Sequence, residues 1–137
     1  MSDSQKIASE FKSKRGLKRI LPAVFYALEG LTSAWKNEHA FRQELAIAIP
    51  GMIAAVFLPV ATVEKLVLIG VLVLVLIVEL INSAIEATVD RISLERHHLS
   101  KNAKDYGGAA VFLAVLFASI TWLVILVPVV MRIFVNA

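Results

Sequence analysis

Glu79, Asn82 and Glu86 are the residues of this chain whose types and spacing could do chemistry, because they follow directly on its most apolar stretch. No Pro or Gly separates them from the run 66–78, so one helix is expected to continue through them. At about 100° per residue, positions i, i+3 and i+7 share a face, with Ser83 and Asp90 beside it. A charged residue near a bilayer centre costs about 2.5–3.5 kcal/mol on insertion scales, so a carboxylate there normally faces a protein interior and works there. Such a face suits a hard cation meeting phosphate. Mg²⁺ takes oxygen ligands, keeps several waters, and is commonly held by one or two carboxylates plus substrate phosphates. Glu86, and Glu38 at the head of the first apolar segment, could both reach such an ion. Glu79 lies about 10.5 Å away along the axis, at about 1.5 Å per residue, deeper in the apolar layer. It is placed to accept a proton from a group held in lipid. The same stripe could instead glue helices together or line a pore, and the residue types alone leave those readings open.

The elements that must position these groups follow from the apolar pattern. Residues 1–19 form a basic tail with Lys12, Lys14, Arg15, Lys18 and Arg19, suited to anionic headgroups. Residues 20–36 read as an amphipathic helix in the membrane surface. Pro22 fits its first turn, Val24, Phe25, Leu28, Leu31 and Trp35 recur at helical spacing, and Tyr26 and Trp35 lie at headgroup depth. Three spans are expected, at about 45–63, 66–89 and 106–130, each near the ~20 residues a bilayer needs. Pro50-Gly51 is expected to kink the first, and Pro59 to shorten it. Glu64-Lys65 reads as a very short turn and 90–105 as a polar loop. Gly107-Gly108 is expected to allow close helix packing rather than to cradle phosphate.

Composition agrees. Of 137 residues, 58% are hydrophobic and 18% charged, with a mean hydropathy of +0.77. Soluble domains carry about 25% charge. The expectation is therefore a single all-α membrane domain over 20–137. No cysteine is present, which excludes disulfides and thiolate sites. The net charge of +3 reflects topology rather than a nucleic-acid partner. All but Lys65 and Arg132 of the 14 Lys and Arg fall on the N-terminal side or in 90–105. The positive-inside rule then puts the N-terminus and that loop in the cytoplasm and the C-terminus outside. Three spans cannot readily enclose several ionised groups, which points to a symmetric homo-oligomer. The adjacent His97 and His98 have no ligand spacing around them, and His98 reads as a solvated loop residue. There is no GxxxxGK[ST] loop, no Gly-rich kinase loop and no GxSxG elbow, so any nucleotide site is built another way.

The run Glu79-Leu80-Ile81-Asn82-Ser83-Ala84-Ile85-Glu86-Ala87-Thr88-Val89-Asp90-Arg91 closely resembles the signature of the small prokaryotic integral-membrane diacylglycerol kinases. Ala34-Trp35-Lys36-Asn37-Glu38, Ala40-Phe41-Arg42-Gln43-Glu44 and Ala103-Lys104-Asp105 match it too, in order and spacing. The resemblance runs from about Arg19 to the end of the third span.

That resemblance implies a homotrimer of the bacterial inner membrane, with three spans and a surface helix per chain. It implies transfer of the ATP γ-phosphoryl group to the primary hydroxyl of diacylglycerol, giving phosphatidic acid. Glu79 would be the general base, supported by Asn82. Glu38 and Glu86 would hold Mg²⁺ and, with Arg19, Tyr26, Glu95, His97, Lys104 and Asp105, contact the nucleotide. The lipid would meet Arg19, Ala23, Tyr26, Ala27, Leu28, Thr32, Ser33, Ala34, Trp35, Arg42, Gln43, Glu44 and Gly108.

The chain departs from the family where Ala27-Leu28-Glu29-Gly30-Leu31 replaces the usual Ser-Trp-Lys-Gly-Leu, and where Gly108 stands in place of a frequent Ser. The alternatives are an undecaprenol kinase of the same fold and, from a different class, a small oligomeric channel or transporter subunit.

Overall fold

The computed structural model describes residues 20–92 and 97–135, and those residues form four helices. They are α1 (Ile20–Asn37), α2 (His39–Phe57), α3 (Thr62–Ile92) and α4 (His98–Val135). Two compact units divide between Asn37 and Glu38.

The first described unit is α1. Pro22 sits in its first turn, where a missing N–H breaks no helical bond, and Lys36 in its last turn suits the helix dipole. Thr32 Oγ1 donates to the Leu28 carbonyl at 2.7 Å, and Asn37 Nδ2 donates to Ser33 Oγ at 3.2 Å. Val24, Phe25, Leu28, Leu31 and Trp35 are all exposed.

In the second unit α3 packs against both α2 and α4. All three helices are long and apolar enough to cross a membrane. The α3–α4 core is Val71, Val75, Ala114 and Ala118, flanked by Val78 and Trp122. The alanines let the two backbones approach, as packing in lipid requires. Trp122 Nε1 donates to the Leu68 carbonyl at 3.3 Å and fixes the antiparallel register. On the other side, a Cβ built on Gly51 would lie 2.9 Å from Leu72 Cδ1 and 3.6 Å from the Trp122 ring, so Gly51 marks a close approach of three helices. Large apolar side chains such as Ile47, Phe57, Leu113, Phe117 and Leu123 point outward. So much exposed apolar surface belongs against lipid tails rather than water.

The helix ends differ from the sequence reading in several places. Glu64 and Lys65 lie on α3 rather than in a turn. The chain reverses just before them, where Ala61 N donates to Glu64 Oε2 at 2.8 Å and Lys65 Nζ donates to the Val56 carbonyl at 2.7 Å. Each side chain satisfies a backbone group that a helix end leaves open. The stretch 90–105 is not simply a loop, since α3 runs to Ile92 and α4 begins at His98. With 31 and 38 residues, these helices are about 46 Å and 57 Å long at about 1.5 Å per residue, well beyond a ~30 Å hydrocarbon layer. Their polar ends continue the helix outside that layer. In the same way α2 starts at His39, ahead of its apolar run, so Arg42, Gln43 and Glu44 are helical. Pro50 lies inside α2 and Pro128 inside α4.

Candidate active site

Uninterrupted helix through 62–92 keeps Glu79, Asn82 and Glu86 on one face of α3. Glu79 is only 3% exposed and Asn82 9%, while Glu86 is half-buried. From the sequence, a single three-span chain is expected to leave part of this face to lipid. One chain alone already buries Glu79 and Asn82, and only Glu86 remains partly open.

Asn82 lies between the two carboxylates. Its Nδ2 donates to Glu86 Oε1 at 3.3 Å, and it sits one helical turn from Glu79 on the same face of α3. The other amide atom, Asn82 Oδ1, is buried with no partner among the described residues. A buried Gly107 on α4 backs it directly: a Cβ there would lie 2.2 Å from Oδ1.

Three further groups gather at this level. Glu38 precedes α2 in extended conformation, at φ −102° and ψ 112°, and its carboxylate does not cap the helix. The charges of Glu38 and Glu86 both reach Glu79, and Glu44 is also close enough to feel the charge of Glu79. Glu44 Oε2 is buried without a partner among the described residues. Lys104 supplies the positive charge, pairing with Asp90 at 2.6 Å and lying within electrostatic reach of Glu86.

Glu44 also lines an apolar groove of about 400 Å³ between α2, α3 and α4, with Ile47, Gly51, Leu72, Val115 and Trp122 among its other walls. A carboxylate thus stands in the wall of an otherwise largely apolar groove. Trp122 was not singled out in the sequence. An indole inside an apolar span, with a Gly on a neighbouring helix, was the available signal, but it needs the register to be read.

Other expected site residues are placed differently. Asp105 neighbours Lys104 in sequence but turns about 100° away on α4, where it pairs with Lys101 in an exposed ion pair. His97 is exposed and caps α4: its Nδ1 accepts from Leu99 N at 3.3 Å, and its carbonyl accepts from Lys101 N at 3.0 Å. Its ring packs on His98 with centroids 4.5 Å apart. Gly108 is exposed with nothing near its missing side chain, so only Gly107 makes the close approach expected of the pair. Gln43 is exposed and Arg42 half-buried on α2. On α1, Thr32, Ser33 and Leu28 line a shallow hollow with Phe25, Glu29, Lys36 and Asn37. Ala34 is buried, while Ala23, Tyr26, Ala27 and Trp35 are exposed. Arg19 and Glu95 lie outside the described residues.

Among the described residues, no three His, Asp or Glu side chains converge as they would around a protein-caged metal. Mg²⁺ asks less of the protein, one or two carboxylates with phosphate and water completing its shell, and the carboxylates that could supply them are Glu38, uncommitted to capping α2, and the half-buried Glu86.

Three membrane-length helices, one carrying a buried carboxylate, a buried amide and a half-buried carboxylate on a single face, define a multi-pass membrane protein with a polar site among its spans. The family model for prokaryotic diacylglycerol kinases matches residues 25–126. The chain is 52% identical over 118 residues to a diacylglycerol kinase of Pseudomonas aeruginosa, covering 86% of this chain and 96% of that protein. It is 48% identical over 111 residues to that of Escherichia coli K12, covering 81% and 91%. The corresponding values for that of Haemophilus influenzae are 44% over 107 residues, 78% and 91%. The chain belongs to the prokaryotic diacylglycerol kinase family.

Proposed function

We propose that this protein phosphorylates diacylglycerol in the bacterial inner membrane, taking the γ-phosphoryl group of ATP and releasing phosphatidic acid and ADP. The observation that carries the reading is the buried Glu79, with Asn82 and Glu86 on the same helix face, in a chain of this family.

Phosphoryl transfer asks for positioning, charge neutralisation and a proton acceptor rather than a covalent nucleophile. Glu79 takes the proton of the lipid's primary hydroxyl as its oxygen bonds to the γ-phosphorus, and the bond from that phosphorus to the β-phosphate bridging oxygen breaks. The Asn82 amide keeps the Glu79 carboxylate in place and spaces it from Glu86. Glu38 and Glu86 would hold the Mg²⁺ that accompanies ATP, and its charge would offset that of the phosphates. Lys104 meets the nucleotide from the α4 side, and the family resemblance assigns further nucleotide contacts to Asp105, His97, Glu95, Tyr26 and Arg19. The lipid enters from the bilayer with an acyl chain along the groove beside Glu44 and its glycerol end toward Glu79. The exposed apolar residues of α1 rest in the membrane surface, and Ala23, Ala27, Leu28, Thr32, Ser33, Ala34 and Trp35, with Arg42, Gln43 and Gly108, border the lipid.

The partly open Glu86 favours a site completed by another copy of the chain; the family resemblance makes the assembly a homotrimer, and the distribution of Lys and Arg puts the N-terminus in the cytoplasm and the C-terminus outside. Formation of labelled phosphatidic acid from γ-labelled ATP and diacylglycerol in mixed micelles tests the reaction. Phosphate passing to undecaprenol alone would keep the site and change the acceptor. Transfer to neither lipid would overturn the reading.

A further inference from the structure

We propose that Gly107 is a positioning residue of the reaction, acting through Asn82: its lack of a side chain seats the amide that holds Glu86 and steadies Glu79.

An ionised carboxylate offers only acceptors, so Asn82 must turn its NH₂ group toward Glu86. That orientation sends Oδ1 to the opposite side, against α4, where it is buried and unpartnered. The space it fills belongs to the missing Cβ of Gly107, which would stand 2.2 Å from Oδ1 and 3.3 Å from Cγ. The Asn82 Cα would be 3.8 Å away, an ordinary contact. The conflict is therefore with the tip of one rotatable side chain and not with the backbone of α3. A methyl group at 107 can be accommodated by turning Asn82 aside, which leaves the helix pair together but takes Nδ2 away from Glu86. Gly108 makes the comparison plain, because nothing lies within 4 Å of its missing Cβ. Two adjacent glycines thus differ, one pressed on the site and one facing open space.

The kinetic part of the test rests on the proposed lipid kinase reaction, so a second readout independent of turnover goes with it. Gly107→Ala, Asn82→Ala and the double variant are purified in micelles, and kcat and unfolding temperature are measured. The Asn82 side-chain amide resonance is followed by nitrogen-15 NMR in Gly107→Ala and in the unsubstituted protein. The expected result is that Gly107→Ala lowers kcat about 10–100-fold, the range for residues that support a site's direct contacts. Its unfolding temperature stays near that of the unsubstituted protein, and its Asn82 resonance moves. In the Asn82→Ala background the same substitution has no further effect on kcat. Losses that multiply in the double variant would assign Gly107 to packing alone and overturn the proposal, as would an unmoved resonance with full activity. Should Gly107→Ala fail to fold, the double variant must fold, since truncating Asn82 clears the space; if it does not, the proposal fails. Should the unsubstituted protein transfer no phosphate, the proposed reaction fails, and the resonance alone decides whether Gly107 seats Asn82.

Discussion

Lys104 Nζ lies 2.6 Å from Asp90 Oδ1, and this contact ties the start of α4 to the end of α3 at the level of Glu86. Both side chains are partly exposed, so the pair adds little to stability; its effect is to aim a long flexible cation. Asp90→Asn is expected to raise the KM for ATP roughly two- to fivefold, as for a modest loss of orientation, and to leave kcat nearly unchanged. Lys104→Ala should raise it further. Steady-state kinetics at varied ATP check both, and an Asp90→Asn enzyme with unaltered KM would remove Lys104 orientation from the account.

The groove between α2, α3 and α4 gives a prediction about chain length. Gly51 lines it, and a Cβ there already comes within 2.9 Å of Leu72 and 3.6 Å of Trp122. Gly51→Val should narrow the channel and raise the KM for long-chain diacylglycerol by about tenfold, the equivalent of about 1.4 kcal/mol. Short-chain diacylglycerol should suffer less. Equal effects on both lipids would place the acyl chain elsewhere.

Glu38 and Glu86 are expected to share one ion. Either Glu38→Gln or Glu86→Gln should shift the Mg²⁺ concentration for half-maximal activity upward by about 10–100-fold, as loss of a metal-site partner does. Because both belong to one site, the double variant should show less than the product of the two shifts. A magnesium titration of each variant measures this, and independent multiplicative shifts would separate the two carboxylates.

Much of this arrangement was legible in the sequence because its physics is local. Apolar runs long enough for a bilayer gave the three spans, and the helical repeat gave the shared face of Glu79, Asn82 and Glu86. The helix ends were less legible. Glu64 and Lys65 look like a turn by charge, yet they cap the neighbouring reversal from within α3. The polar stretch after Asp90 looks like a loop, although a helix leaving the bilayer need not stop there. The part of the site that depends on register was not legible. Gly107-Gly108 signals close packing, but only the antiparallel fit of α3 and α4 tells which glycine meets Asn82. Likewise Lys104-Asp105 reads as a pair, whereas the turn of α4 sends one residue to Asp90 and the other to Lys101.

In the proposed reaction Glu79 accepts the proton of the lipid hydroxyl. Turnover of Glu79→Gln beside the unsubstituted protein, with γ-labelled ATP, Mg²⁺ and diacylglycerol in mixed micelles and with ATP binding measured on the same samples, tests that step. Gln keeps the shape and removes the base, so turnover should fall about 10²–10⁴-fold, the usual contribution of a general base, with ATP still bound. Near-normal turnover by folded Glu79→Gln protein would contradict the account and leave the buried carboxylate a structural role alone.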